Sequence, residues 1–128
     1  MIARFLLVCL GGALGSGARY ATSLWAAGAI GTTFPFGTLI VNLAGSFLLG
    51  FLMHVAAATE LLPPDLRLML TTGVMGGFTT YSTFNYETTQ YVRDGAWAMG
   101  SANMAATLIG CLAAGFTGLA LARLIVGR

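Results

Sequence analysis

Apolar and polar positions along this chain fall into four long apolar stretches separated by short polar joints. Phe36 to Thr59, Leu68 to Tyr86 and Gly95 to Ala122 contain no Asp, Glu, Lys or Arg, and Phe5 to about Ala29 contains one charge, Arg19. A bilayer crossing takes about 20 mainly apolar residues, so the pattern predicts four transmembrane helices. The joints read as turns: Gly31 to Pro35, Glu60 to Asp65 with Pro63-Pro64, and Arg93-Asp94-Gly95. The third stretch differs from the others. It runs Gly73-Val74-Met75-Gly76-Gly77-Phe78-Thr79-Thr80-Tyr81-Ser82-Thr83-Phe84-Asn85-Tyr86-Glu87. Paired glycines and successive threonines are poor helix formers, which predicts a helix broken near its middle. Backbone groups freed at membrane depth must be buried in protein or line a polar site, and transporters use such breaks to bind ions. The bland alternative is a kinked but continuous helix.

Composition narrows the class. The chain is 57% hydrophobic and 8% charged, against about a quarter charged in soluble domains. The reading is an all-α membrane protein, one four-helix domain over residues 1–128, with no room for a soluble domain among them. Arg4 followed by an apolar run resembles a signal peptide, but three further spans follow, and the first is expected to remain as a span. Cys9 and Cys111 both fall inside spans and read as packing residues. His54 reads as interfacial. No constellation of His, Cys and acid suggests an enzyme. Arg4, Arg67, Arg123 and Arg128 fall toward one side of the membrane, Arg19 and Arg93 toward the other. That positive-inside bias is weak and predicts insertion in either orientation.

Polar residues inside a bilayer are costly and therefore informative. Thr38, Asn42 and Ser46 recur at helical spacing on one face of the second span, and Asn103, Thr107 and Cys111 on the fourth. Such stripes serve either as hydrogen-bonded glue between helices or as a polar track. Just past the expected break, Tyr81 and Phe84 share a helix face amid Thr80, Ser82, Thr83 and Asn85. There are 18 glycines, including the Gly11-x-x-x-Gly15 spacing, and tight packing within one bundle is its plainer explanation. Four short helices enclose little space, so a polar pathway calls for a second subunit.

These motifs together resemble the small fluoride channels called Fluc or CrcB. The resemblance spans essentially the whole chain. It rests on Gly11-Gly12-Ala13-Leu14-Gly15 leading to Arg19, on Gly37-Thr38-Leu39-Ile40-Val41-Asn42-Leu43, and on Thr72-Gly73 through Gly76-Gly77-Phe78-Thr79-Thr80-Tyr81-Ser82-Thr83-Phe84 with Glu87 following. It implies an antiparallel, dual-topology homodimer in the bacterial inner membrane, with two pores that pass fluoride passively out of the cytoplasm. It further implies a sodium ion at the dimer interface, held by backbone carbonyls of Gly76 and Thr79. By the same resemblance Tyr81 and Phe84 form an aromatic box, Asn42 lies on the pore, and Ser82 and Thr83 lie near its polar track. Asn103 and Thr107 are carried as pathway residues of the fourth helix, and Arg19 as a structural anchor at the vestibule end of the first. Family members usually have Phe where this chain has Tyr81, and some have Tyr at the position of Asn103. Partners are fluoride, lipid and a second copy of the chain, with no nucleic acid.

Two other readings compete. A small multidrug or guanidinium exporter is also a four-helix antiparallel dimer, but it needs an embedded acid in the first helix, which here has Arg19 and none. A structural membrane subunit explains the glycines but not the break or the polar stripes.

Overall fold

The computed structural model describes residues 1–127; Arg128, grouped above with the basic residues of one side, lies outside them. The described chain is all-helical. Three helices are long and apolar enough to cross a membrane: α1 (Ile2–Ala29), α2 (Phe36–Ala58) and α6 (Trp97–Val126). The stretch between α2 and α6 is segmented. It begins as α3 (Pro64–Leu68), widens into a π-helical run (Met69–Met75), tightens again in α4 (Gly76–Phe78), and breaks at Thr79 and Thr80. The chain then resumes as α5 (Tyr81–Arg93). The expected break is therefore present, and the continuous kinked helix is not.

Local chemistry sets the boundaries. Pro64 stands in the first turn of α3, where its missing N–H costs nothing. Thr79 and Thr80 are both extended, with ψ of 157° and 114°. Thr80 then caps α5, its Oγ1 accepting the Thr83 N–H at 3.2 Å. At the far end of α5, Ala96 N–H bonds Tyr91 O at 2.8 Å and Gly95 N–H bonds Val92 O at 3.1 Å. That double closure needs a left-handed residue, and Gly95 supplies it at φ 75°. The last helix starts later than the apolar run from Gly95 and continues past Ala122 to Val126, with Arg123 in its final turn, where a cation suits the helix C-terminus.

Packing follows backbone contact rather than large side chains. The buried apolar residues are Ala26, Val41, Val55, Met75, Phe84 and Ala122, while Leu10, Leu14, Trp25, Ile109, Leu112 and Phe116 are exposed. Water would penalise this arrangement; lipid does not. A side chain on Gly11 would meet Met69 O at 2.6 Å, and one on Gly15 would strike the Val74 carbonyl. The Gly11-x-x-x-Gly15 pair thus seats α1 on the π-helical run within one chain, as the packing reading held. Gly50 and Gly118 bring α2 and α6 together in the same way, against the carbonyls of Gly115 and Phe47. Gly45 lets α2 pass directly beside the Thr79 methyl, at the break.

Candidate functional site

The break is held open by one side chain. Asn42 on α2 donates from Nδ2 to Thr80 O at 3.0 Å and accepts the Thr80 N–H on Oδ1 at 2.7 Å. An asparagine amide can satisfy a donor and an acceptor at once, so it replaces both partners that a continuous helix would have given Thr80. Asn42 and Thr80 are both buried. The consequence reaches two carbonyls. The Thr80 N–H, which a helix would direct to Gly76 O, goes to Asn42. The Thr83 N–H, which a helix would direct to Thr79 O, goes to the Thr80 hydroxyl. The carbonyls of Gly76 and Thr79 are left without their helical donors.

Around the break lies a cavity of about 520 Å³. Asn42 and Ser46 reach it from α2, Gly76, Thr79 and Thr80 from the break, Tyr81 and Phe84 from α5, and Thr107 and Cys111 from α6. Tyr81 and Phe84 meet edge to face, with centroids 5.5 Å apart. Phe84 is buried, whereas Tyr81 is 73% exposed. Thr107 is buried too, and its Oγ1 has no partner among the described residues. A buried hydroxyl without a partner costs about 1–3 kcal/mol, so it stands as an uncommitted donor beside this cavity.

Other expected residues lie elsewhere. Ser82 and Thr83 are exposed and form a hydroxyl cluster with Thr80, at 3.3 and 3.0 Å from its Oγ1. Thr83 faces a second cavity of about 480 Å³, lined also by Thr38, Tyr86, Glu87 and Tyr91. Arg19 lines a smaller one of about 230 Å³ with Ser16, Ser23, Thr38, Thr80 and Thr83, and makes no ion pair among the described residues. Asn103 is not on the break cavity. It is 1% exposed and donates to Thr88 Oγ1 at 3.0 Å, tying α6 to α5. The fourth-helix stripe therefore divides, with Asn103 as interhelical glue and Thr107 and Cys111 on the cavity.

In the sequence Glu87 stands out only as the residue that follows the third motif. The structure brings it to the second-helix stripe, where Thr38 Oγ1 donates to its Oε1 at 2.6 Å and its Oε2 is buried without a partner among the described residues. The signal was available: Thr38 and Asn42 are one turn apart on α2, and Thr83 and Glu87 one turn apart on α5, so two polar stripes face each other.

Three helices able to cross a membrane and a broken fourth segment around a largely apolar cavity define a multi-pass integral membrane protein. The family model described as CrcB-like protein, Camphor Resistance (CrcB), matches residues 6–119, and the chain belongs to that family. A relative in Anaeromyxobacter dehalogenans, named fluoride-specific ion channel FluC, is 59% identical over 98% of this chain and 100% of its own length. Relatives of the same name in Anaeromyxobacter sp. strain K and Sorangium cellulosum are 58% and 54% identical, over 98% and 96% of this chain and 100% and 97% of their own.

The double hydrogen bond of Asn42 yields a stability prediction. Asn42→Ala leaves the buried Thr80 N–H and carbonyl unpaired and should destabilise the fold by about 1–3 kcal/mol. Asn42→Asp keeps the acceptor and should retain part of that. Thermal unfolding in detergent measures both, and wild-type stability of the alanine variant contradicts the assignment.

Proposed function

We propose that this chain is a fluoride-specific ion channel. The observation that carries the reading is its similarity, over nearly its full length, to channels of that name. The site chemistry agrees. Fluoride is small and strongly hydrated, so a pathway must offer donors where water is lost. The second amide hydrogen of Asn42, the unpartnered Thr107 hydroxyl and Ser46 supply them. The ring edges of Tyr81 and Phe84 add weaker positive contact. No carboxylate lines the break cavity among the described residues. In this reading fluoride moves passively down its gradient, out of the cytoplasm and across a bacterial inner membrane.

Tyr81 and Phe84 then separate two roles. Purified protein in fluoride-loaded liposomes should release fluoride without nucleotide or proton coupling. Tyr81→Phe should preserve that flux, because the ring edge stays. Phe84→Ala should lower it about tenfold to a hundredfold, as loss of a desolvated contact worth roughly 1–3 kcal/mol at the barrier implies. Flux is counted per folded particle after size-exclusion chromatography. Normal flux from well-folded Phe84→Ala protein contradicts the pathway.

The working unit in this reading is an antiparallel homodimer with two pores. An exposed Tyr81 and a cavity walled by a single chain leave the pathway half built, and the weak arginine bias permits either orientation. Cysteines placed in the loops of tagged protein should be labelled from both sides of intact cells. One-sided labelling excludes dual topology.

A sodium ion sits between the copies in this reading, on the carbonyls of Gly76 and Thr79. Both carbonyls have lost their helical donors, and oxygen ligands suit a hard cation. A side chain at Gly76 meets nothing within 4 Å in the single chain. Gly76→Leu should therefore fold as a protomer yet lose dimer and flux. A functional Gly76→Leu dimer removes the site.

A further inference from the structure

Asn103 and Thr88 join α6 to α5 outside the break cavity, and both are buried. Asn103 Nδ2 donates to Thr88 Oγ1 at 3.0 Å, and that hydroxyl donates to Phe84 O at 2.8 Å. A hydroxyl has one proton to give. Thr88 gives it to Phe84, so toward Asn103 it can only accept, and the amide must present its nitrogen. A directed chain thus runs from α6 through Thr88 to the backbone of Phe84. A threonine bonded to the carbonyl one turn back is a local matter within one helix. Here the third member comes from a different helix and fixes that hydroxyl in space.

The position of this chain in the hairpin gives it a consequence. α5 and α6 are joined by the tight turn at Gly95. Gly100 on α6 lies against α5, where an added Cβ would stand 3.5 Å from side-chain atoms of Tyr91 and Val92. Two helices in such contact can still slide and roll, and the Asn103–Thr88 bond removes that freedom. Residues four apart share a helix face. One turn from Thr88 toward the break comes Phe84, and one turn from Asn103 in the same direction comes Thr107. Both line the break cavity, and the Thr107 hydroxyl is the buried one without a partner among the described residues. The register that pairs Thr88 with Asn103 therefore also sets Phe84 against Thr107. We infer that Asn103 is a positioning residue: acting through Thr88, it fixes where the Phe84 ring stands relative to the Thr107 hydroxyl, and so the rate at which the pathway passes its ion. The effect on rate rests on the channel reading above; the placement of the ring does not.

Two readouts test this. Fluorine NMR of purified protein carrying 4-fluorophenylalanine at position 84 reports the ring. Fluoride release from liposomes reports the pathway, counted per folded particle after size-exclusion chromatography. Asn103→Leu removes the donor from α6, and Thr88→Val removes the hydroxyl from α5. Each should shift or broaden the resonance and lower flux about tenfold, the worth of one hydrogen bond expressed as a rate. The double variant should be no worse than the more impaired single one, because both changes break one chain. Thr88→Ser keeps the hydroxyl and should leave resonance and flux as in the wild type. An unmoved resonance, or wild-type flux from either folded single variant, marks the bond as glue alone and overturns the inference, even where the melting temperature falls. Additive losses in the double variant overturn it too. Wild-type protein that releases no fluoride overturns the channel reading instead, and the resonance still decides whether Asn103 places the ring.

Discussion

Two hydrogen bonds from one amide hold the rest of the site in place. A helix interrupted in lipid exposes backbone groups that no water can satisfy, at several kcal/mol each. Asn42 meets the Thr80 N–H and carbonyl from the side. With both satisfied, the chain can stay extended through Thr79 and Thr80 and restart at Tyr81. The diverted donors, the freed carbonyls and the direction of the aromatic pair all depend on that restart.

Asn42 reaches Thr80 only because the helices lie very close. Gly45, one turn away, admits the Thr79 methyl against α2. Gly11 and Gly15 fix the π-helical run against α1, and a run with i→i+5 bonding shifts the register of the residues C-terminal to it. The glycines thus act in two ways. They allow van der Waals contact between backbones where no hydrophobic force drives association, and they set the depth at which the third crossing breaks.

Much of this was legible in the sequence. Three of the four apolar stretches form helices long and apolar enough to cross a membrane, because lipid demands length and apolarity and little else, and the remaining stretch is the segmented one. The Gly-Gly and Thr-Thr pairs mark the break, because their backbone preferences are local. The helical spacing of Tyr81 and Phe84 puts them on one face, and their rings there meet edge to face. What the sequence does not carry is rotation between helices. Asn103 and Thr107 are one turn apart on α6 and look equivalent, yet one faces Thr88 and the other the break cavity. Glu87 was likewise hidden. Its bond to Thr38 joins residues 49 apart in sequence, and such a pairing exists only once α2 and α5 are packed. The π-helical run has no distinctive composition and arises from the fit against α1.

The restart at Tyr81 also has an electrostatic consequence. Peptide dipoles add along a helix to leave roughly half a positive elementary charge at its N-terminus. Most helices of a membrane protein keep that pole at the surface, where water and headgroups screen it. Here α5 begins beside the break cavity, so its positive pole lies within the bundle, in a medium of low dielectric. The α5 end of the break is thereby biased toward negative charge by main chain alone, while the C-terminal end of the run closing at Phe78 carries the opposite pole and suits a cation. No side-chain substitution that leaves the backbone in place can remove that bias, and no change of pH can titrate it.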